Sequence, residues 1–175
     1  MPNKKIKQLI QVIKKLSKTN NYSIELESKT DRIFESKIGG LPYWTPNKNY
    51  PTNSEGKKLY LLAQINFDEE KVLSPLPKSG ILQFFINDDD LMGLNFDERT
   101  KQENFRVVYH ETVDYKITKE AIEQLGIIDS QKATNFPIKE ECKISLHNGT
   151  DYATLSDFQF NKFFSKYFKN FIYIN

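Results

Sequence analysis

The residues whose types are best suited to catalysis lie close together at the end of a predicted strand. His110, Glu111 and Asp114 lie close together in the chain, and a carboxylate that orients an imidazole forms a general base. An enzyme would add polar side chains from neighbouring elements, namely Asp89, Arg106 and Tyr109. Because adjacent residues of a strand point to opposite faces, His110 and Glu111 would not meet if the strand continues through both. Acid–base catalysis is therefore not the favoured interpretation.

Nucleophiles and metal ligands are scarce, since the chain has one cysteine and two histidines. Cys142 and His147 are five residues apart on a predicted strand and so fall on opposite faces. This spacing argues against a Cys/His nucleophilic pair.

An acidic turn at residues 87–93 resembles the start of a calcium-binding loop. Counting from Asp88, Asp90 and Gly93 occupy loop positions 3 and 6. Met92 and Arg99, however, stand at positions 5 and 12, where an oxygen ligand and a bidentate glutamate belong. The sequence therefore predicts no metal site, and no motif predicts a cofactor.

A loop at residues 38–46 contains paired glycines and two aromatic residues, Tyr43 and Trp44. It lacks the third glycine of a dinucleotide fingerprint and the Gly-Lys-Ser/Thr of a P-loop, which excludes nucleotide binding of either kind. Its aromatic rings could stack on bases, but 25 basic and 23 acidic residues give a net charge of only +2, and three of the basic residues are arginines. A dedicated nucleic-acid binder is therefore not expected.

Helical patterns occur near the start of the chain, at residues 118–125 and near the end. Near the start, apolar residues recur at helical spacing and predict an amphipathic helix with a lysine-rich face: Ile6, Leu9, Ile10, Ile13 and Leu16. That face lacks the Trp or Phe anchors of a membrane-surface helix. A second helix is predicted at residues 118–125, with Thr118 as its N-cap and Gly126 as its stop. Near the end, an aromatic stripe predicts a third: Phe160, Phe163, Phe164, Tyr167, Phe168 and Phe171.

Strands are predicted from residue 22 onward and at residues 58–67, 80–86, 105–110 and 141–147. In the strand at 58–67 one face is wholly apolar, whereas the other runs from apolar residues to Gln64 and Asn66. These two amides indicate either a polar cleft or a chain that emerges into solvent. The predicted core contains Leu61, Ala63, Ile65, Phe67, Leu82, Phe84, Ile86, Val107 and Val108.

The length of 175 residues fits one domain, and no low-complexity tract or Gly/Ser linker divides the chain. We therefore predict a single domain over residues 1–175. No apolar run approaches the roughly 18 residues that a spanning helix needs. The first residues lack the apolar region of a signal peptide, and one cysteine cannot form an internal disulfide. These features predict a soluble cytoplasmic protein.

Four motifs in order give the chain a family resemblance. They are SKIGGLPY at 36–43, LLAQINF at 61–67, GILQFFI at 80–86 and FRVVYH at 105–110. With them the chain resembles the YwqG-like family of bacterial proteins, a family of unknown function. The resemblance implies an α+β fold around a mixed, mostly antiparallel sheet, and it supplies no catalytic residues. Members of that family continue into a second half that echoes the first, and this chain looks like a member that lacks it. The aromatic helix, or an uncovered sheet edge, would then favour a homodimer.

The sequence favours a non-enzymatic protein-binding module that engages another protein through its aromatic loop or its acidic section. That section, residues 68–114, has eleven acidic and five basic residues. The alternative is a hydrolase-like enzyme that uses the region of Gln64, Asn66, Arg106 and His110, for which a deep pocket around these side chains would be needed. The candidate binding residues are Lys37, Trp44, Gln64, Asn66, Asp89, Arg106, Tyr109 and His110.

Overall fold

A computed structural model describes residues 4–72, 74–154, 156–157, 160 and 165. Within these ranges two helices and six strands are complete: α1 (Lys4–Ser17), β1 (Thr19–Lys29), β2 (Lys37–Ile38), β3 (Tyr60–Asn66), β4 (Ile81–Ile86), β5 (Phe105–His110), α2 (Lys119–Gln124) and β6 (Cys142–Asp151), with a 3₁₀ turn at Ser130–Lys132 before β6. The strands form one sheet in the order β1-β6-β2-β3-β4-β5. β2 pairs antiparallel with β3 and β6, and β4 pairs antiparallel with β3 and β5. This mostly antiparallel sheet with few helices confirms the coarse fold class.

The chain divides into two compact units, Ile24–Leu146 and a smaller one formed by Met1–Ser23 with His147–Asn175. In the smaller unit α1 has the predicted amphipathic pattern, and Ser17 at its end both donates to the carbonyl of Ile13 (2.7 Å) and accepts from the amide of Ala153 (3.0 Å). The predicted aromatic helix lies outside the described residues except for Phe160, so it stays a prediction. None of the helices in the part of the chain described here has the length and apolar run that crossing a lipid bilayer takes.

In the larger unit, the sequence places α2 correctly. Thr118 caps it by accepting a hydrogen bond from the amide of Ala121 at 3.2 Å. Gly126 follows it with a φ of +65°, the left-handed conformation that ends a helix and suits glycine. Local signals thus suffice for this element.

The prediction of the core face is wrong for much of β3. Leu61 is buried, but the next inward residues are Gln64 and Asn66, while Ala63 and Ile65 are only half-buried. The cause is a shift in the pairing of β3 with β4 between Leu61 and Ala63. An extra residue in one strand reverses the facing of every residue beyond it. The two amides therefore lie inside the protein.

The neighbouring strands agree with this reversed facing. In β4 the inward residues are Ile81, Gln83 and Phe85, whereas Leu82 and Phe84 are half-buried. Val107 in β5 is exposed, which also contradicts its predicted place in the core. Among the other predicted core residues, Leu61, Phe67 and Ile86 are buried and Val108 packs against the core. That core consists of Ile33, Leu41, Trp44, Leu59, Leu61, Phe85, Ile122 and Ile127.

Phe84 and Phe85 provide a matched test of which face of β4 points toward the core. We expect Phe85→Ala to lower the free energy of unfolding by about 3 to 5 kcal/mol, because it leaves a cavity in the core. Phe84→Ala should cost clearly less, because that ring is only half-buried. Urea titration of both variants measures the difference. Equal losses, or a larger loss for Phe84→Ala, would show that the facing is assigned wrongly.

Candidate functional site

The amides that the sequence left open form a buried hydrogen-bonded chain with His110. The Gln64 carboxamide oxygen accepts from the amide of Tyr43 (2.9 Å) and from Nε2 of Gln83 (2.8 Å). Gln83 Nε2 also donates to the carbonyl of Tyr43 (2.7 Å), and Gln83 Oε1 lies 2.9 Å from Nε2 of His110. Gln64 Nε2 donates to the carbonyls of Ile33 (2.8 Å) and Glu35 (3.0 Å). We call Gln64, Gln83 and His110 the polar core.

The contacts of His110 fix its charge state. Gln83 Oε1 can only accept, so Nε2 of the imidazole carries the proton and Nδ1 faces Nζ of Lys48 at 3.4 Å as an acceptor. The side chain is fully buried between the rings of Tyr43 and Trp44, each about 5.0 Å away and edge-on. Burial, assisted by the charge of Lys48, lowers the pKa of His110 from 6.5 to about 4. The imidazole is therefore neutral at physiological pH and inaccessible to a substrate.

The aromatic loop belongs to the interior as well. Tyr43 and Trp44 are buried, and Trp44 Nε1 donates to the carbonyl of Lys48 at 2.9 Å. Trp44 also meets the rings of Tyr50 (5.0 Å) and Phe85 (6.0 Å) edge-on. Rings packed in this way cannot stack on a nucleic acid base. The loop is thus part of the core and not the contact surface that the sequence suggested.

Lys37 is fully buried and forms an ion pair with Glu141 at 2.5 Å. Its Nζ also donates to the carbonyl of Arg32 at 2.8 Å. Burial lowers the pKa of Lys37 and raises that of Glu141, and in each case the partner's charge opposes the shift. Gly40, with a φ of +74°, lies so close that a Cβ there would overlap the Glu141 carboxyl group. The paired glycines therefore make room for an ion pair and do not cradle a phosphate.

Asn66 is buried beside the polar core. Its backbone amide donates to Oγ of Ser36 (3.0 Å), its Nδ2 donates to the carbonyl of Phe34 (3.0 Å), and its Oδ1 accepts from the amide of Asp68 (3.0 Å). Every polar group of this side chain thus has an internal partner.

The acidic turn is held by its own backbone. Asp89 Oδ1 accepts from the amides of Leu91 (3.0 Å) and Gly93 (2.9 Å), and its Oδ2 accepts from Asn87 Nδ2 (2.6 Å). Partial burial favours the neutral acid, but these donors hold the pKa of Asp89 below its usual value. Asp88 accepts from the amides of Thr134 (2.9 Å) and Asn135 (2.7 Å). In the described ranges no three His, Cys, Asp or Glu side chains form a group that could hold a metal ion.

The remaining two candidates lie on β5. Arg106 reaches inward, where its Nη2 donates to the carbonyl of Thr52 at 3.5 Å. Tyr109 is 40% exposed and donates from its hydroxyl to the carbonyl of Ser79 at 2.8 Å. The structure therefore links Gln64 to His110 through Gln83. Lys37 is the cross-strand partner of Gln64 on β2 but bonds to Glu141 and Arg32, and Asp89 and Tyr109 bond to groups outside the polar core.

Sequence reasoning missed two residues on which these groups depend, namely Gln83 and Glu141. Gln83 does leave a signal, because a single amide within the apolar run 81–86 has to find a partner inside the protein. Glu141 leaves none, since it is 104 positions from Lys37 in the chain.

Three cavities at the surface of the larger unit are lined by described residues, and Gln64, Asn66 and His110 are not among the residues that line these three. One, of about 390 Å³, lies on the outer face of β4 and β5, and we call it the outer groove. Its lining includes Leu62, Phe84, Leu91, Met92, Leu94 and Val107. Another, of about 820 Å³, has a mainly polar lining that includes Asn53, Asn87, Asp88 and Asn104.

The buried ion pair gives a stability prediction. We expect Lys37→Met to lower the free energy of unfolding by about 3 to 5 kcal/mol, because Glu141 is left charged and without its partner. The double variant Lys37→Met/Glu141→Leu should recover most of that loss, since it removes both charges. Lys57→Met, which breaks the exposed pair with Glu55, is the control and should have no measurable effect. A double variant as unstable as the single one in denaturant titration would contradict the assignment.

The buried imidazole gives a pH prediction. The pKa of His110 is below its unfolded value of 6.5, so its stabilising contribution is complete above pH 6.5 and is lost as the pH falls to about 4. The loss should reach about 3 kcal/mol, by the linkage between pKa and stability. His110→Phe removes this titration, so its unfolding free energy should fall less steeply over that range than that of the wild type. Denaturant titrations at several pH values measure the two slopes, and parallel slopes would refute the prediction.

Comparison with known proteins places these residues in a family. One family profile, described as "Domain of unknown function (DUF1963)", matches residues 36–172. The match begins next to Lys37 and includes β2 to β6, the polar core, the ion pair and the outer groove. No curated protein matches the chain. Because the profile covers well over half of its length, the chain belongs to the DUF1963 family, a domain of unknown function.

Proposed function

We propose that this protein is a non-enzymatic protein-binding module that holds its partner in the outer groove. The observation that carries the proposal is the clustering of exposed apolar side chains at that groove. Leu91, Met92, Leu94 and Val107 line it and are each at least 40% exposed. Phe96, in the same connection between β4 and β5, is 63% exposed. Apolar residues gathered in this way on a water-facing surface are typical of protein interaction sites.

The buried polar residues support a binding role because they argue against the alternative, a hydrolase-like enzyme. Internal groups already form hydrogen bonds with the side chains of Gln64, Asn66 and His110, so these side chains are not available to a substrate. The hydrolase hypothesis needs a pocket that gathers these side chains, and a shallow groove with an apolar lining suits a protein partner instead.

The groove has an anchored backbone, which favours specific recognition. Asp89 fixes the start of the connection through the amides of Leu91 and Gly93. Gly93 packs so tightly against the backbone of Asn104 that a Cβ would overlap it. A loop ordered before binding loses little conformational entropy when a partner arrives.

Two finer assignments belong to the same proposal. The four sequence motifs support a place among the YwqG-like members of the family. A cytoplasmic location is supported by the single cysteine, which rules out an internal disulfide.

Affinity capture with a matched pair of variants tests the proposal. Leu94→Ser/Phe96→Ser removes one exposed apolar group that lines the groove and a second in the same connection between β4 and β5. Ile128→Ser, which is similarly exposed but lines the cavity of about 820 Å³, is the control. We expect a protein from the source organism to be captured by the wild type and the control and lost with the groove variant. With the purified partner, the groove variant should raise the Kd at least tenfold, as expected for the loss of interface anchors.

Thermal melting must first establish that both variants fold like the wild type. Capture that is equal for all three proteins would overturn the assignment to the outer groove. Capture of no protein by any of them would overturn the binding role.

A further inference from the structure

The outer groove is continuous with a free sheet edge. β5 is the last strand in the sheet order and pairs on one side with β4. Within the described ranges no strand pairs with its other side. Val107 contributes both to the groove and to this edge, so a partner seated in the groove lies next to unpaired backbone.

The orientation of the free backbone groups follows from Gln102. The amide of Val107 donates to Oε1 of Gln102 at 2.7 Å. That side chain cannot lie between two paired strands, so the Val107 amide points away from β4. Because backbone direction alternates along a strand, the peptide groups of Phe105 and Tyr109 also point outward. The edge therefore presents three residues to an added strand, and Gln102 stands in for the carbonyl that such a strand would bring.

This edge has few of the features that usually block strand addition. Residues 105–110 contain no proline and no lysine, and the single charged residue of β5 is Arg106, whose guanidinium group donates to the carbonyl of Thr52. Val107 and Tyr109 are each 40% exposed. An apolar or β-branched side chain on an added strand would pack against them.

The charges next to the edge select the partner. Glu103 precedes β5 and Glu111 follows it, both are exposed, and residues 68–114 together carry a net charge of −6. Lys101 already pairs with Glu98 (3.1 Å) and Glu103 (3.0 Å). If a second copy of β5 paired antiparallel about Val107, Glu103 of each copy would face Glu111 of the other. Like charges opposed in this way disfavour a dimer and favour a strand with basic ends.

We propose that the partner binds as an added strand, antiparallel or parallel to β5, with an alternating apolar centre and a basic residue at each end. This inference rests on the proposed function, because it specifies how a protein occupies the outer groove. Main-chain hydrogen bonds to residues 105, 107 and 109 supply affinity, and Glu103 and Glu111 supply charge specificity.

The test uses a synthetic peptide of ten residues, with two lysines at each end and alternating valine and threonine between them. Titration into the full chain, followed by amide NMR shifts, should move the Val107 and Tyr109 signals most. Three control peptides isolate the causes. Two of them carry methyl groups on alternate backbone nitrogens, one at the odd positions and the other at the even positions, so that only one of the two loses the nitrogens that face β5. In the third, glutamates replace the lysines and reverse the charge. The peptide whose methylated nitrogens face β5 and the glutamate peptide should each bind at least tenfold more weakly than the unmodified peptide.

A variant of the capping residue gives a second measurement. Gln102→Ala removes the group that competes for the Val107 amide and should tighten peptide binding about 2- to 12-fold, the range expected for one hydrogen bond. Gln124→Ala, which changes an exposed glutamine on α2, should leave the affinity unchanged.

Three results would overturn this proposal: equal binding by both methylated peptides and their parent, shifts confined to residues away from β5, or a dimer in sedimentation that is lost with Tyr109→Pro, which would make the partner a second copy. If the peptide fails while Leu94→Ser/Phe96→Ser still abolishes capture of the natural partner, the binding function stands and only this mode of docking falls. If the wild type also captures no protein, both the binding function and this mode of docking are wrong.

Discussion

A buried amide costs free energy unless both its oxygen and its nitrogen find partners, and this constraint organises the larger unit. Gln64 bonds to backbone groups of two separate segments, at Ile33 and Glu35 in one and Tyr43 in the other, and to Gln83 on the next strand. Gln83 passes the chain of bonds on to His110. Three strands and the aromatic loop are thereby fixed relative to one another. Breaking one bond would leave the others unsatisfied, so the network acts as a unit.

The same network holds the side chains that could act in acid–base catalysis. A general base needs a pKa near the working pH and access to its proton. Burial against Tyr43 and Trp44 holds the pKa of His110 far below that range and closes it to solvent. Lys37 is occupied in a similar way by Glu141 and the carbonyl of Arg32. These polar residues stabilise the interior, and a group of apolar residues is exposed at the outer groove.

That surface follows from the bulge in β3. The register shift near Leu62 turns the amides inward and leaves the alternate apolar residues of the sheet, such as Phe84 and Val107, on the outer face. The connection between β4 and β5 adds Leu91, Met92 and Leu94 beside them. An apolar groove, an open strand edge and acidic residues at both ends of that strand thus occur together, and this combination fits an extended basic segment better than a small substrate.

The sequence by itself determined the elements that depend on neighbours in the chain. The period of apolar residues located α1 and every strand in the described ranges except the short β2, and Thr118 and Gly126 bounded α2. Facing and pairing were decided by the tertiary structure. A single extra residue at the bulge is invisible in the pattern of β3, yet it exchanges the two faces of the strand. The partner of Lys37 lies 104 positions away, and the burial of Trp44 depends on rings from other segments. Interactions over such separations form only when the sheet assembles, because the local sequence carries no information on which distant group will satisfy a buried charge.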